Sequence, residues 1–148
     1  MREFPKPLQV YVVEDSAILR RVLVSAIEAA GGVLVGCSTD AESAIAELST
    51  LRPDLVLIDI ALKSGTGFDV LEALQKLDSR PTPIKVVLTN HAYDEYRQMS
   101  AQLGASAFFD KTTETSQVLA LIGALAGEGR GAWHPASVAN RPESEERR

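Results

Sequence analysis

Short runs of consecutive apolar residues alternate along the chain with longer segments in which apolar residues recur every three or four positions. The short runs are rich in Val, Leu and Ile and predict strands at residues 10–13, 33–35, 55–58, 86–88 and, more weakly, 107–109. Strands that lack polar alternation are typical of a parallel sheet that helices cover on both faces.

The intervening segments predict five helices, each with one apolar face. The residues expected to face the sheet are Ile18, Val22, Leu23, Ala26, Ile27 and Ala30, then Ala41, Ala44, Ile45 and Leu48, then Phe68, Leu71, Leu74 and Leu77, then Tyr96, Met99 and Leu103, and finally Val118, Leu121, Ile122 and Leu125. We expect Asp40 to cap the second helix and Gly31-Gly32 to end the first. Five strands alternating with five helices predict an α/β fold.

The length allows one average domain, because the chain has 148 residues of which 45% are hydrophobic. We place this domain at residues 1–126. Residues 127–148 combine little apolar content with Gly, Pro, Arg and Glu, which predicts a flexible C-terminal tail. The single cysteine, Cys37, excludes an internal disulfide and is expected to be buried, since it falls in an apolar strand.

The net charge of −5 argues against nonspecific attraction to a nucleic acid backbone. No apolar run approaches the ~20 residues that a membrane-spanning helix needs. The first seven residues contain an acid and two prolines where a signal peptide would become apolar. We therefore expect a soluble, cytoplasmic protein with neither nucleic acid nor membrane among its partners.

Polar residues lie at or just past the ends of four of the predicted strands. Glu14 and Asp15 follow the first strand, Asp59 the third, Thr89 the fourth and Lys111 the fifth. Ligands of open parallel sheets bind beyond the carboxyl ends of the strands, where the strand order reverses. If the order is 2-1-3-4-5, strands one and three are neighbours at that point, and these side chains meet there.

Three carboxylates beside one ammonium group favour a hard divalent cation such as Mg²⁺, held by oxygen ligands. Taken singly, each residue has a plainer interpretation: Glu14-Asp15 could cap a helix, Asp59 could cap a loop, and Lys111 could be solvated. Their joint position at strand ends favours a functional site.

These residues carry a resemblance to a known family. Val-Val-Glu14-Asp15-Ser, Leu-Ile-Asp59-Ile, Gly67, Val-Leu-Thr89 and Phe108-Phe-Asp-Lys111 resemble the receiver domain of two-component response regulators, in its chemotaxis-type single-domain form. The resemblance covers residues 8 to about 126. It implies a flavodoxin-like, three-layer fold with a five-stranded parallel sheet in the order 2-1-3-4-5.

The resemblance also implies a phosphorylation site and a metal site. Asp59 would accept the phosphoryl group, and Asp15 and Asp59 would bind Mg²⁺ directly. Glu14 would contribute through water. Ala61 could offer only its backbone carbonyl to the metal.

The remaining matched positions imply stabilisation of the phosphoryl group and a conformational switch. Lys111 would pair with the phosphoryl oxygens, and Thr89 would donate a hydrogen bond to one of them. Phe108 matches an aromatic position that changes rotamer on activation. Thr89 and Phe108 would thus form the switch.

The implied function is that of a single-domain response regulator in two-component signalling. It would take the phosphoryl group from a histidine kinase or histidine phosphotransfer protein and act on an unknown downstream protein by direct contact. It would catalyse its own Mg²⁺-dependent phosphorylation and dephosphorylation, as a monomer or transient dimer. The resemblance places kinase docking at the first helix, where Ala17, Ile18 and Arg21 are candidates, although Ile18 could equally belong to the core.

Two alternatives remain open. One is a receiver-like binding module that does not depend on phosphorylation, because Asn90 is bulkier than the family's usual residue and Thr112 replaces the proline that commonly follows the lysine. The other is a phosphatase of the haloacid dehalogenase type, which also uses an Asp at a strand end. That family needs a second Asp two residues later, where this chain has Ala61.

Overall fold

The computed structural model describes residues 6–77 and 82–128. The five strands are β1 (Gln9–Val13), β2 (Val33–Ser38), β3 (Leu55–Ile58), β4 (Ile84–Thr89) and β5 (Ala107–Asp110). The five helices are α1 (Ala17–Ala29), α2 (Ala41–Leu48), α3 (Gly67–Lys76), α4 (Asp94–Gln102) and α5 (Thr115–Glu128). Strands and helices alternate throughout, as the apolar pattern predicts.

The strands form one parallel sheet in the order β2-β1-β3-β4-β5, which confirms the predicted fold. Alternate residues of each central strand enter two separate apolar cores. Val10 and Val12 pack on the side of α1 and α5, whereas Tyr11 and Val13 pack on the side of α2 and α3. This double burial explains why the strands lack polar alternation.

Local hydrogen bonds fix the starts of three helices. Ser16 caps α1, since its hydroxyl accepts from the Leu19 N–H at 3.2 Å, and Asp40 caps α2 as predicted. Thr66 and Asp69 form a reciprocal capping box at the start of α3. Because Ser16 caps α1, neither Glu14 nor Asp15 serves as the cap of that helix.

Two helices differ from the predicted faces. On α1, Leu23 and Ile27 are buried as expected, but Ile18 is 75% exposed and Val22 is 40% exposed. On α4, Met99 is exposed and the buried residue is Ser100. A periodic apolar pattern identifies a helix, but it does not tell a core face from apolar residues that remain on the surface.

The edge strand β2 is only partly covered, unlike the continuous burial predicted for the strands. Val33 and Cys37 are exposed, so the expectation of a buried cysteine is wrong. A strand at the edge of a sheet has a neighbour on one side only, which leaves more of it open to solvent.

Tyr11 on β1 is fully buried and donates its phenolic O–H to Glu47 Oε1 at 2.6 Å. Ser38 Oγ lies 3.1 Å from the same phenolic oxygen. Gly36 on β2 makes room for the ring, because a Cβ there would lie 2.8 Å from it. Burial, followed by the bond to Glu47, raises the pKa of Tyr11 well above its usual 10.

Helix α5 extends two residues past the predicted domain boundary at 126. The rest of the predicted tail, residues 129–148, lies outside the described residues. Within the described ranges, every helix is too short or too polar to cross a membrane.

Candidate functional site

Asp59 lies immediately after β3, at the carboxyl edge of the sheet, and is only 4% exposed. One carboxylate oxygen, Oδ2, accepts a hydrogen bond from Lys111 Nζ at 2.7 Å. The other, Oδ1, accepts from the Ala61 N–H at 3.3 Å. The strand end thus presents a buried carboxylate with an ammonium group at hydrogen-bond distance.

Glu14, at the end of β1, is also buried. Its Oε2 accepts from the Ser16 N–H and from Lys111 Nζ, both at 3.0 Å. Burial raises the pKa of Glu14, against the opposing effect of the Ser16 hydrogen bond. The Arg20 guanidinium on α1 donates to the Glu14 backbone carbonyl at 2.9 Å, which fixes the turn from strand to helix.

Glu14, Asp15 and Asp59 each place a carboxylate oxygen within 4.8 Å of the others. Asp15 is exposed, so the cluster opens to solvent on that side. Three carboxylates from two neighbouring strand ends supply the hard oxygen ligands that Mg²⁺ prefers, with room for the waters that Mg²⁺ retains. The donor set therefore fits the expected cation.

Lys111 follows β5 and bridges the two buried carboxylates. Burial alone lowers the pKa of Lys111, but the bonds and charges of Asp59 and Glu14 outweigh it, so the pKa is raised. The ammonium therefore stays charged at neutral pH. Against three carboxylates it leaves an excess of negative charge, which a divalent cation would neutralise.

Thr89 ends β4 and is fully buried. Its backbone carbonyl accepts from the Lys111 N–H at 2.9 Å, and its Oγ1 accepts from the His91 N–H at 3.2 Å. The backbone of β4 thereby ties Thr89 directly to Lys111. The structure brings together five residues predicted from the strand ends: Glu14, Asp15, Asp59, Thr89 and Lys111.

Phe108 on β5 lies two strand positions before the end of the strand, since it pairs with Val87, whereas Asp110 pairs with Thr89. The ring is half-buried and packs at the margin of the apolar core next to α4. The Arg97 guanidinium stands 4.7 Å from the ring centroid, in cation–π geometry.

Sequence reasoning missed two of these contacts. Arg97 on α4 faces Phe108 only because α4 crosses β5, so the pattern along the chain gives no signal for this pair. Arg20 lies on α1 close to the Glu14-Asp15 turn, and this spacing of a basic residue from the acidic pair is a signal that could have found it.

The chain matches the family model described as the response regulator receiver domain over residues 10–123. Among curated proteins, it is 29% identical over 96% of its length to protein-glutamate methylesterase/protein-glutamine glutaminase 3 of Geobacter sulfurreducens. It is 36% identical over 70% of its length to enzyme 6 of the same name from Anaeromyxobacter dehalogenans. The matches span 39% and 29% of these relatives, so the chain corresponds to a minor part of each.

Solved structures share the fold at lower sequence identity. A two-component response regulator of the LuxR family from Aurantimonas sp. SI85-9A1 superposes with a TM-score of 0.74 at 20% identity, over 97% of this chain and 100% of that one. The response regulator domain of Thermotoga maritima CheB gives 0.71 at 20% identity, over 86% and 99% of the two chains. A chain of the CheX-CheY-BeF3-Mg²⁺ complex from Borrelia burgdorferi gives 0.72 at 19% identity, over 80% and 89% of the two chains.

Proposed function

Because the chain belongs to the response regulator receiver domain family, we propose that it acts as a single-domain response regulator that is phosphorylated on Asp59. The phosphoryl donor is the phosphohistidine of a histidine kinase or histidine phosphotransfer protein. Output is by contact with a downstream protein, and the site of action is the cytoplasm. The chain acts as a monomer or transient dimer.

The observation that carries this proposal is the buried Asp59 carboxylate with a lysine ammonium 2.7 Å away and two further carboxylates beside it. In phosphoryl transfer, an Asp59 oxygen forms a bond to phosphorus while the bond from phosphorus to the donor nitrogen breaks. The donor imidazole keeps the electron pair of that bond. Catalysis of such a step rests on positioning and on cations that face the transferring oxygens.

Lys111 supplies one of these cations, and its ammonium turns from the carboxylates toward the new phosphoryl oxygens. Thr89 donates a hydrogen bond from its hydroxyl to the same oxygens, while its Oγ1 still accepts from the His91 N–H. Glu14, Asp15, Asp59 and the Ala61 carbonyl are the proposed ligands of Mg²⁺. When bound, Mg²⁺ offsets the charge of the phosphoryl oxygens and of the acidic cluster.

Thr89 and Phe108 form the proposed switch. Aspartyl phosphate adds acceptor oxygens at the end of β3, and the Thr89 hydroxyl is drawn toward them. Movement of the loop after β4 opens space beside the Phe108 ring, which is half-buried, and the ring takes a second rotamer in that space. The surface formed by β5 and α4 changes as a result, which supports output by protein contact.

The test is incubation with acetyl phosphate and MgCl₂, followed by intact mass measurement. We expect one added phosphoryl group on the wild-type protein and none on Asp59→Asn, which keeps the side-chain shape but lacks the nucleophilic carboxylate. Addition of EDTA should abolish the product. A folded wild-type protein that binds Mg²⁺ but gains no mass, with acetyl phosphate and with a cognate kinase, would favour a binding module independent of phosphorylation.

The proposed docking surface for the phosphoryl donor is the start of α1, where Ala17, Ile18 and Arg21 are exposed. Ile18 is 75% exposed and Val22, one helical turn later on α1, is 40% exposed, and adjacent exposed apolar side chains support a contact with a partner. We expect Ile18→Ala and Arg21→Ala to slow transfer from the kinase while leaving phosphorylation by acetyl phosphate unchanged. Transfer from the kinase at the same rate to both variants as to the wild-type protein would show that the donor docks elsewhere.

A further inference from the structure

The loop after β5 holds the Lys111 backbone on both sides. The Lys111 N–H donates to the Thr89 carbonyl at 2.9 Å, and the Lys111 carbonyl accepts from Thr115 Oγ1 at 2.7 Å. Lysine has a long, flexible side chain, so bonds that fix its Cα reduce the range of positions open to its ammonium. These bonds fix that Cα between the sheet and the start of α5.

Asp110, which precedes Lys111, closes a tight turn around it. The Asp110 Oδ1 accepts two hydrogen bonds from Thr112, one from the backbone N–H at 2.8 Å and one from the hydroxyl at 2.6 Å. The Thr112 bonds, that of the hydroxyl first, lower the pKa of Asp110, so the carboxylate stays ionised. An Asp side chain that bonds the backbone two residues later is an Asx turn.

The same turn is tied to Glu114, the residue that precedes α5. The Asp110 N–H donates to Glu114 Oε1 at 2.8 Å, and the Glu114 N–H donates back to the Asp110 carbonyl at 2.7 Å. Asp110 is therefore bonded through its side chain, its N–H and its carbonyl, all within five residues. Lys111 lies inside this network.

The residue at position 112 determines how the backbone of this turn is restrained. A proline at position 112 would restrict the backbone by its ring but would have no N–H to donate. Thr112 has no such ring, and instead both its N–H and its hydroxyl bond to Asp110. Hydrogen bonds thus supply the restraint that a ring would otherwise impose.

We propose that Asp110 and Thr112 are positioning residues that hold the Lys111 ammonium against Asp59 through this turn. The inference rests on the proposed function for its effect on phosphorylation. Loss of the turn lets the Lys111 backbone move, and displacement of a positioned group by about 1 Å can slow a reaction by up to ~100-fold.

The test compares variants at three neighbouring positions. Thr112→Val has nearly the same shape as Thr112 and keeps the backbone N–H but lacks the hydroxyl, whereas Thr112→Ser retains it. Asp110→Ala removes the acceptor of both bonds. Thr113→Val is the matched control, because Thr113 is exposed and its hydroxyl bonds to nothing within the described ranges.

Two readouts are measured on the full chain. The first is the rate of phosphorylation by acetyl phosphate with MgCl₂. The second is the NMR signal of the Lys111 ammonium in protein labelled with ¹⁵N-lysine and free of Mg²⁺, assigned with Lys111→Met. A buried ammonium bonded to two carboxylates exchanges its protons slowly and gives a distinct resonance, which a change of stability alone would not remove.

We expect Thr112→Val and Asp110→Ala to slow phosphorylation about tenfold and to broaden or shift the ammonium resonance. Thr112→Ser and Thr113→Val should stay within about twofold of the wild-type rate. The double variant Asp110→Ala/Thr112→Val should be no slower than Asp110→Ala alone, because Asp110→Ala already removes the hydroxyl bond that Thr112→Val removes. A wild-type rate and an unchanged resonance in Thr112→Val would overturn the proposal.

The resonance separates this proposal from the function on which it rests. If the wild-type protein accepts no phosphoryl group, the proposed function fails. The ammonium signal is recorded without any phosphoryl donor, so it still decides whether Asp110 and Thr112 hold Lys111.

Discussion

At the scale of single residues, the site is a cluster of buried charges that partly compensate one another. Lys111 is bonded to both Glu14 and Asp59, and all three side chains are nearly inaccessible to water. Removal of one partner from a buried ion pair is costly, since the remaining charge keeps its desolvation penalty. The Lys111 ammonium and a cation held by the carboxylates therefore compensate the same negative charge.

Lys111→Met tests this compensation. We expect it to lower the free energy of unfolding by about 3 kcal/mol in buffer without divalent cations, because Glu14 and Asp59 lose their common partner. Added MgCl₂ should restore part of the loss, since it provides positive charge at the same oxygens. Urea unfolding with and without MgCl₂ measures both effects. An unchanged midpoint in EDTA would contradict the assignment of Lys111 as the compensating charge.

Tyr11 gives a prediction on pH. Its pKa is raised in the folded chain, so above pH 10 the unfolded chain loses the phenolic proton while the folded chain keeps it. Stability conferred by Tyr11 is therefore complete below pH 10 and falls as pH rises beyond it, by up to about 1.4 kcal/mol per pH unit. Urea unfolding from pH 9 to 10.5 should show this extra decline in the wild-type protein and its absence in Tyr11→Phe. Parallel pH profiles would show that Tyr11 titrates alike in both states.

At the scale of elements, close packing of α3 on the end of β3 sets the position of Asp59. Gly67, the first residue of α3, is buried, and a Cβ there would overlap the Asp59 carbonyl oxygen and lie 2.9 Å from Ile60 Cα. Both neighbours are backbone atoms, which cannot rotate away. The absence of a side chain at Gly67 thus allows α3 to approach the site.

Gly67→Ala should therefore destabilise the fold by about 1–3 kcal/mol and slow phosphorylation, because the Asp59 backbone must shift. Gly123→Ala is the matched control, since a Cβ at Gly123 meets no atom within 4 Å. In the middle of α5 that change should stabilise by about 0.5–1 kcal/mol. Thermal unfolding of both variants decides the matter, and equal stabilities would contradict the packing argument.

The elements themselves could be predicted because continuous apolar runs indicate buried strands and apolar residues at helical spacing indicate helices. The burial of β3 on both faces follows from its unbroken apolar run at 55–58, and the inward face of α5 follows from apolar residues such as Val118 and Ile122. The faces of α1 and α4 could not be predicted fully, because apolar side chains such as Ile18 and Met99 stay on the surface. The same limit applies to Cys37, since nothing in its local sequence indicates that β2 is an edge strand.

At the scale of the whole molecule, the parallel sheet gathers residues from distant parts of the chain at one edge. Asp59 and Lys111 are 52 positions apart and Glu14 and Lys111 are 97 apart, yet both pairs lie within hydrogen-bond distance. The carboxyl ends of parallel strands meet at one edge, so this convergence could be predicted from the strand ends together with the strand order that the family resemblance implies. The Arg97 contact with Phe108 could not, because it depends on how α4 lies across β5.

The most direct test of this account is to locate the phosphoryl group. Wild-type protein is phosphorylated with acetyl phosphate and MgCl₂ and then treated with sodium borohydride, which reduces an aspartyl phosphate to homoserine. The peptides are then sequenced by mass spectrometry. We predict homoserine at position 59 in the wild-type protein and none in an untreated sample. Homoserine at another aspartate, or a folded protein with unmodified Asp59 after transfer from its kinase, would contradict Asp59 as the acceptor.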